Sequence, residues 1–328
     1  MLSPNHLSEH TSKLKTLNIW VFHDARPGHL SQLEGLVKRL AFHANCEIHW
    51  FDITQHKLSV KHLFFLASFL KNRAKPDLIL GAGHRTHLSV LIAGFKFKTF
   101  TSLIMKPSLP ICLFDAIICP QHDAPGNSKK ILNTFGPINK IDKPQSNSSS
   151  QTRTIHLILI GGLSKHYHLD VDHIIQQIQE LCLESPDKQW LLSNSPRTPQ
   201  AMNTALNTLN LPNLSIHDYK QGSMGSIQEI LLKTKFTWIT PDSMSMIFEA
   251  LSADSQVGLI HCVPKNNKRI VRQVNSLADE GYVISFNDRS IKDRSIKTAQ
   301  HHELAWEADR SALWLLDRIQ SSHHVQKN

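Results

Sequence analysis

Twice along this chain, apolar stretches of strand length alternate with longer stretches of helical period, and a polar segment divides the two runs. The first run reads "LNIWVFH" (17–23), a helix "LSQLEGLVKRLAFHA" (30–44), "CEIHWFD" (46–52) and a helical "VKHLFFLASFLKNRA" (60–74). It continues with "DLILG" (77–81), a helix near 86–95, and strands near 99–105, 114–119 and 130–135. Short strands separated by helices predict a parallel, doubly wound sheet, because parallel neighbours need a crossover long enough to hold a helix. "KIDKPQSNSSSQTRT" (140–154) then has the composition of a linker. The alternation restarts with "IHLILIGG" (155–162), a helix over 170–184, "QWLLSNS" (189–195) and a helix over 198–209. "LSIHD" (214–218), a helix over 225–233, "KFTWIT" (235–240), a helix over 243–253 and "QVGLIH" (256–261) follow. An amphipathic helix, "ELAWEADRSALWLLDRI" (303–319), closes the chain.

The expected fold is therefore α/β, with two Rossmann-like doubly wound parallel-sheet domains facing a cleft. The N-terminal domain spans 1–145, a linker 146–154, the C-terminal domain 155–300, and a terminal helix 301–328 packs back across them. In such sheets ligands bind outside the carboxyl ends of the strands, so the strand-to-helix turns are where chemistry is expected.

Charge narrows the partners. The 328 residues carry a net charge of +9 with 21 histidines held neutral, which points to an anionic partner. No RNP, helix-turn-helix or zinc-finger pattern appears and the positive charge is dispersed, so nucleic acid is not expected. A phosphorylated small molecule or an anionic membrane surface remains. No stretch approaches the roughly 18–20 apolar residues of a membrane span. "MLSPNHLSEHTSKLK" lacks a signal-peptide core, so the expectation is a cytoplasmic protein, docked at most on the inner face of the membrane. Five cysteines without a C-x-x-C pair argue against a disulfide framework or structural zinc.

Four turns carry unusual polar content. In "HDARPGHLSQ" (23–32), Gly28 permits a tight turn or close ligand approach, with His29 and Asp24 beside it; alternatively Arg26-Pro27-Gly28 is an ordinary turn and Asp24 a cap. In "GAGHRTH" (81–87), Gly81 and Gly83 free the backbone to approach a ligand, and Arg85 supplies a planar donor fork for phosphate or carboxylate. His84 and His87 have metal spacing but no third ligand nearby, so no metal site is assigned. In "LIGGLSKHYHLD" (159–170), Gly161, Gly162, Ser164 and Lys165 resemble half a phosphate loop without the G-x-x-x-x-G-K-[ST] frame. Asp170 there suits a helix cap better than a metal.

The fourth turn lies in "WITPDSMSMIFEAL" (238–251). Asp242, Ser243 and Ser245 open a helix, where unpaired N–H groups and the dipole favour anions; equally, Asp242 or Ser243 is a simple cap. Asp242 and Glu249 are seven apart and share a helical face, ~10 Å apart along the axis. A nucleotide diphosphate has that layout, phosphates at the helix start and ribose two turns along.

Together "DARPGHLSQ", "GAGHRTH", "IGGLSKHYHLD" and "TPDSMSMIFEA" resemble the mitochondrial-fission ELM family, whose bacterial members are often labelled sugar-nucleotide epimerases. "CPQHDAP" (119–125), "NTFGPINK" (133–140) and "SNSPRTP" (193–199) extend the resemblance over about 17–285. Such proteins are similar in architecture to GT-B glycosyltransferases of the MurG-like type, whose C-terminal domain holds the sugar nucleotide and whose N-terminal domain holds the acceptor. The resemblance implies that Gly161, Gly162 and Ser164 face the donor phosphates with Asp242, Ser243 and Ser245. It further implies that Glu249 binds ribose hydroxyls and that Gly28 and His29 lie near the reacting sugar. Three departures stand out: Ala25 where the family has Gly, Leu30-Ser31 where it has Glu-Asn, and Phe248 where it prefers a small residue.

The resulting expectation is a metal-independent glycosyltransferase of cell-envelope synthesis, without a cofactor. It would move a sugar from a nucleotide-sugar donor to a glycan or lipid-linked acceptor. His29 is the candidate general base or its orienting partner, Asp24 and Arg85 are secondary candidates, and Lys165 and Arg197 are candidates to neutralise phosphate. An epimerase using the same cleft, or a peripheral membrane adaptor, are the alternatives. Membrane contact would fall on "KHLFFLASFLKNRAK" (61–75), unless that is a core helix, and on "GFKFKTF" (94–100).

Overall fold

The computed structural model describes residues 16–54, 73–123, 126–141, 153–221, 227–289 and 306–325. The helix expected over 60–74, most of the basic segment 61–75 and most of the polar linker lie outside these residues.

The chain divides into two compact units, 1–134 with 308–328, and 135–307. In the first, β1 (Leu17–His23), β2 (Cys46–Asp52), β3 (Leu78–Ala82), β4 (Phe100–Ile104), β5 (Ala116–Pro120) and β6 (Ile131–Thr134) form one sheet. Its order is β2-β1-β3-β4-β5-β6, parallel throughout. Helices α1 (Pro27–His43) and α2 (His87–Phe97) provide described crossovers. β3 and β5 are buried at every residue, as parallel strands covered on both faces must be. Trp20 and Phe22, two apart on one face of β1, pack against Phe51 at ring distances of 5.3 and 5.1 Å.

In the second unit, β7 (Ile155–Leu159), β8 (Trp190–Ser193), β9 (Leu214–His217), β10 (Thr234–Ile239), β11 (Gln256–Leu259) and β12 (Val283–Ser285) form another parallel sheet. The order is β12-β11-β10-β7-β8-β9. Its helices are α3 (Val171–Glu184), α4 (Gln200–Asn207), α5 (Ile227–Leu232), α6 (Met244–Ser252) and α7 (Arg269–Asp279). Asp170 caps α3 by accepting from the His173 N–H, the role its position suggests. α7 and β12 are absent from the sequence reading; α7 buries Val271, Val274 and Leu277 on one stripe of an otherwise polar helix.

The division falls at Thr134/Phe135, ahead of the segment whose composition suggests a linker. Residues just after it belong to the second core. Phe135 packs edge-on to Phe248, and Asn139 Nδ2 donates to Phe248 O at 3.3 Å and to Ser252 Oγ at 2.8 Å. The terminal helix α8 (Glu307–Val325) returns to the first unit, burying Ala312, Leu315 and Ile319. Asp309 on α8 pairs with Arg39 and His43 of α1 at 2.5 and 2.7 Å. No described helix is long and apolar enough to cross a membrane.

Candidate functional site

Both sheets reverse direction once. In the N-terminal unit the reversal lies between β1 and β3, in the C-terminal unit between β7 and β10, and these are the points where doubly wound sheets bind ligands. The four turns singled out by sequence are the turns that follow these four strands.

In the N-terminal unit Phe22 lies opposite Gly81, which brings the Asp24 turn beside the Gly83 turn. His29 Nδ1 lies 2.8 Å from Asp24 Oδ1, and the Asp24 side chain is fully buried. A carboxylate only accepts, so Nδ1 carries the proton and Nε2 is left as the basic nitrogen. Asp24 is not a helix cap: α1 starts after Arg26 without a side-chain cap, and the Asp24 carboxylate instead also accepts from the Arg26 N–H at 3.3 Å. The residue forced left-handed in this turn is Ala25 (φ 54), which gives a physical reason for the glycine usual in the family.

Two glycine readings change. Gly28 forms no tight turn; it sits in the first turn of α1 with open space where a side chain would be. Gly83, at φ 81, leaves room for protein, since a Cβ there would overlap the His29 ring. Gly81 likewise yields to Thr86 and Val90, and Thr86 Oγ1 donates to Gly83 O at 2.8 Å. The glycines of "GAGHRTH" therefore seat His29 and pack the turn. Arg85 and His84 are exposed beside them. His87 is buried, with Nδ1 3.2 Å from Ser108 Oγ and its ring edge-on to Phe114. Burial, and then the charge of His84, push its pKa down to about 4. Among the described residues no three His, Cys, Asp or Glu side chains are grouped to hold a metal.

In the C-terminal unit Leu159 pairs with Ile239, which sets the Gly161 turn against the Asp242 turn. Neither Asp242 nor Ser243 caps α6: Ser243 occupies the cap position without a side-chain bond, and Asp242 turns away to the glycines. Asp242 Oδ2 accepts from the Gly162 N–H at 3.0 Å and pairs with Arg197 Nη2 at 2.9 Å. A Cβ on Gly161 would overlap this carboxylate, and one on Gly162 would overlap the Arg197 backbone. Glycine is required here because three turns converge.

Sequence reasoning missed the residues that fasten this convergence. Ser195 Oγ and Thr198 Oγ1 donate to Gly161 O at 2.7 and 2.5 Å, and Thr240 Oγ1 accepts from Gly161 N at 2.8 Å. Their signal was the polar run "SNSPRTP" directly after an apolar strand. Ser164 Oγ accepts from the N–H groups of His166 and Tyr167, both at 3.1 Å. Tyr167 is buried beside Cys262 and Asp242; burial first, then these two neighbours, raise its pKa. Burial, followed by Asp242 and Asp170, pushes the Cys262 thiol up to about 12, so it stays protonated. Lys165 and Ser245 are exposed, whereas Ser243 and Glu249 are buried on α6. Phe248 packs inward on Phe135 and Gly136.

The fold recurs among solved structures. The UDP-GlcNAc 2-epimerase from Methanocaldococcus jannaschii matches with TM-score 0.59 at 14% identity, over 92% of this chain and 99% of that one. A putative UDP-N-acetylglucosamine 2-epimerase from Listeria monocytogenes matches with TM-score 0.62 at 11% identity, over 95% and 98%. The glycotransferase of kitacinnamycin matches with TM-score 0.55 at 12% identity, over 93% and 100%. The chain thus has the two-unit GT-B fold shared by epimerases and glycosyltransferases. In sequence it is 23% identical to the uncharacterized protein RP120 of Rickettsia prowazekii (strain Madrid E), covering 83% of this chain and 91% of that protein. The sequence pattern of the family described as Mitochondrial fission ELM1 matches residues 27–319. The chain belongs to the mitochondrial fission ELM1 family.

Proposed function

We propose that this chain is a GT-B glycosyltransferase that uses a nucleotide-activated sugar. The observation that carries the reading is the pairing of His29 with the buried Asp24 carboxylate at the strand-order reversal of the N-terminal unit. In the C-terminal unit the uncapped start of α6, with Ser243 and Ser245 in its first turn, receives the donor phosphates, and Glu249 takes the ribose hydroxyls. The Gly161–Gly162 turn, braced by Asp242, lines the same site with Ser164, Lys165 and Arg197. UDP-GlcNAc and UDP-glucose are bound by proteins of like fold, which makes UDP-sugars the first donors to try.

The chemistry balances without a cofactor or metal. An acceptor hydroxyl oxygen attacks the anomeric carbon, His29 Nε2 takes its proton, and the bond to the diphosphate breaks with the electron pair leaving on UDP. Asp24 stabilises the imidazolium that forms, Gly28 leaves space at the start of α1, Gly83 makes room for the His29 ring, and Arg85 in the same turn is a further phosphate-binding candidate. A glycan or lipid-linked acceptor, as in envelope synthesis at the inner face of a membrane, is the proposed partner. The exposed Leu88 and Phe95 of α2, next to Lys96 and Lys98, support a lipid-linked one.

Epimerisation of the donor is the second reading, favoured by the 2-epimerases of like fold. It needs a second acid or base besides His29. Incubation with UDP-GlcNAc, with and without envelope lipid extract, distinguishes them. Lipid-dependent release of UDP with a glycosylated lipid supports transfer. A 2-epimer formed without lipid supports epimerisation. Untouched donor from every sugar tried would reject both.

A further inference from the structure

At the end of the N-terminal sheet away from the candidate site, a cavity of about 380 Å³ opens between α2 and the starts of β4 and β5. Phe100 and Thr101 open β4 and Asp115 directly precedes β5, so the cavity lies at the amino ends of these strands. The Asp24 and Gly83 turns lie at the carboxyl ends of theirs. The volume is at the small end of the ~300–1,000 Å³ range of ligand pockets, which suits a molecule of metabolite size.

One close contact fixes the cavity's place. A Cβ on Gly94 would overlap Thr101 Cγ2, so the last turn of α2 rests directly on β4. Lys98 then ends the helix in the left-handed conformation, at φ 47, with its N–H donating to Gly94 O. Glycine is the usual residue there because it has no Cβ to strain. In this chain a lysine takes the position, and its exposed side chain lines the cavity.

A carboxylate lines the same cavity. Asp115 Oδ2 accepts from the Thr101 N–H and from Thr101 Oγ1, both at 2.9 Å. These bonds orient the carboxylate through one oxygen, and Oδ1 keeps its lone pairs for a further donor. Leu91, Phe95, Phe100 and Leu113 supply the apolar wall. Phe95 and Leu113 are 76% and 41% exposed, so both have apolar surface to lose to a ligand.

The lining therefore offers three kinds of partner surface. A carboxylate only accepts and is met best by an ammonium, an ammonium only donates and is met best by a carboxylate, and the wall takes an apolar group. We infer that this cavity binds a zwitterion with an apolar body, an α-amino acid with an aliphatic or aromatic side chain. Its ammonium meets Asp115, its carboxylate meets Lys98, and its side chain covers Phe95 and Leu113. The inference goes beyond the nucleotide-sugar reading and does not rest on it.

The test is calorimetric titration of L-phenylalanine and L-leucine into the full chain, into Lys98→Gln and into Asp115→Asn. Phenethylamine, which lacks the carboxylate, and 3-phenylpropionate, which lacks the ammonium, are the controls. At least one of the two amino acids is expected to bind saturably, and about tenfold or more weakly in each variant. Both controls should bind the unaltered chain about tenfold or more weakly than L-phenylalanine. Asp115→Asn alters the bonds to Thr101, so its ligand-free melting curve is measured as well. Lys98 is exposed, and Lys98→Gln keeps the test decisive if Asp115→Asn unfolds. Failure of both amino acids to bind, or equal affinity in Lys98→Gln, overturns the inference. Phenethylamine bound as tightly as L-phenylalanine would reject the zwitterion. Ethanolamine phospholipid carries the same two charges. Flotation on vesicles of that lipid, lost in Lys98→Gln and without binding of either amino acid, would overturn the amino acid and reassign the cavity to a lipid headgroup.

Discussion

His29 and Asp24 are joined through Nδ1 and Oδ1 at 2.8 Å, with the carboxylate fully buried and the imidazole partly exposed. The pair joins the end of a parallel strand to the first turn of the following helix, and the ring lies where Gly83 has no side chain. A buried carboxylate that fixes a histidine tautomer suits the proton transfer proposed for His29, and the fixed geometry gives the pair distinct mutational signatures.

His29→Ala is expected to lower turnover ~10²–10⁴-fold with little change in donor affinity. Asp24→Asn keeps the shape but can present an N–H to Nδ1, so turnover should also fall while the donor still binds. Steady-state kinetics beside donor titration checks both. Near-normal turnover in His29→Ala would remove it from the reaction.

Ala25→Gly should stabilise the protein by ~1 kcal/mol, because it relieves a left-handed residue with a Cβ. Urea denaturation of both proteins gives the comparison. A loss of stability would mean that the Ala25 methyl group contributes more than its strain costs.

Asp242→Ala should behave unlike the loss of a helix cap. It removes the acceptor of the Gly162 N–H and the partner of Arg197, and should cost ~1–3 kcal/mol in the ligand-free protein. It should also loosen the glycine turn and weaken nucleotide binding. Melting curves paired with UDP titration test this; unchanged values in both would show that Thr240, Ser195 and Thr198 hold the turn unaided.

Acid should act through His87. Its pKa is lowered to about 4 by burial, and then by His84, from an ordinary value of 6.5. The unfolded chain therefore binds a proton before the folded one does. The stability conferred by neutral His87 is complete above about pH 6.5 and is lost as pH falls toward 4, on the order of 3 kcal/mol. In His87→Gln the pH dependence in that window should shrink. NMR titration of the His87 ring reads the pKa directly, and a midpoint near 6.5 would refute this assignment.

The sequence made β1 and β2 legible to the residue, because each is an apolar run bounded by polar ends. α7 and β12 escaped notice, since Val271, Val274 and Leu277 are thinly spaced in a polar stretch and the strand has three residues. The four turns were visible as polar breaks after apolar strands. Their pairing was not, because strand order is a non-local property that no spacing reveals. Asp242 looked like a cap for the same reason: its local position fits one, and only the neighbouring Gly162 turn gives its carboxylate a better partner. The unit boundary was misplaced by composition, which registers the polar 140–154 stretch but not the packing of Phe135 and Asn139 on α6.

Nucleotide binding by the C-terminal unit is the central expectation, and Glu249 on α6 is its most direct probe. Calorimetric titration of UDP into the full chain should give saturable binding, weakened by ~1.5–3 kcal/mol in Glu249→Ala, the range for a hydrogen bond to a charged group. Ligand-free melting of that variant, measured alongside, separates a lost ligand contact from a lost structural bond. No binding of UDP, CMP or GDP by the unaltered chain, or equal UDP affinity in Glu249→Ala, would contradict the donor site proposed here.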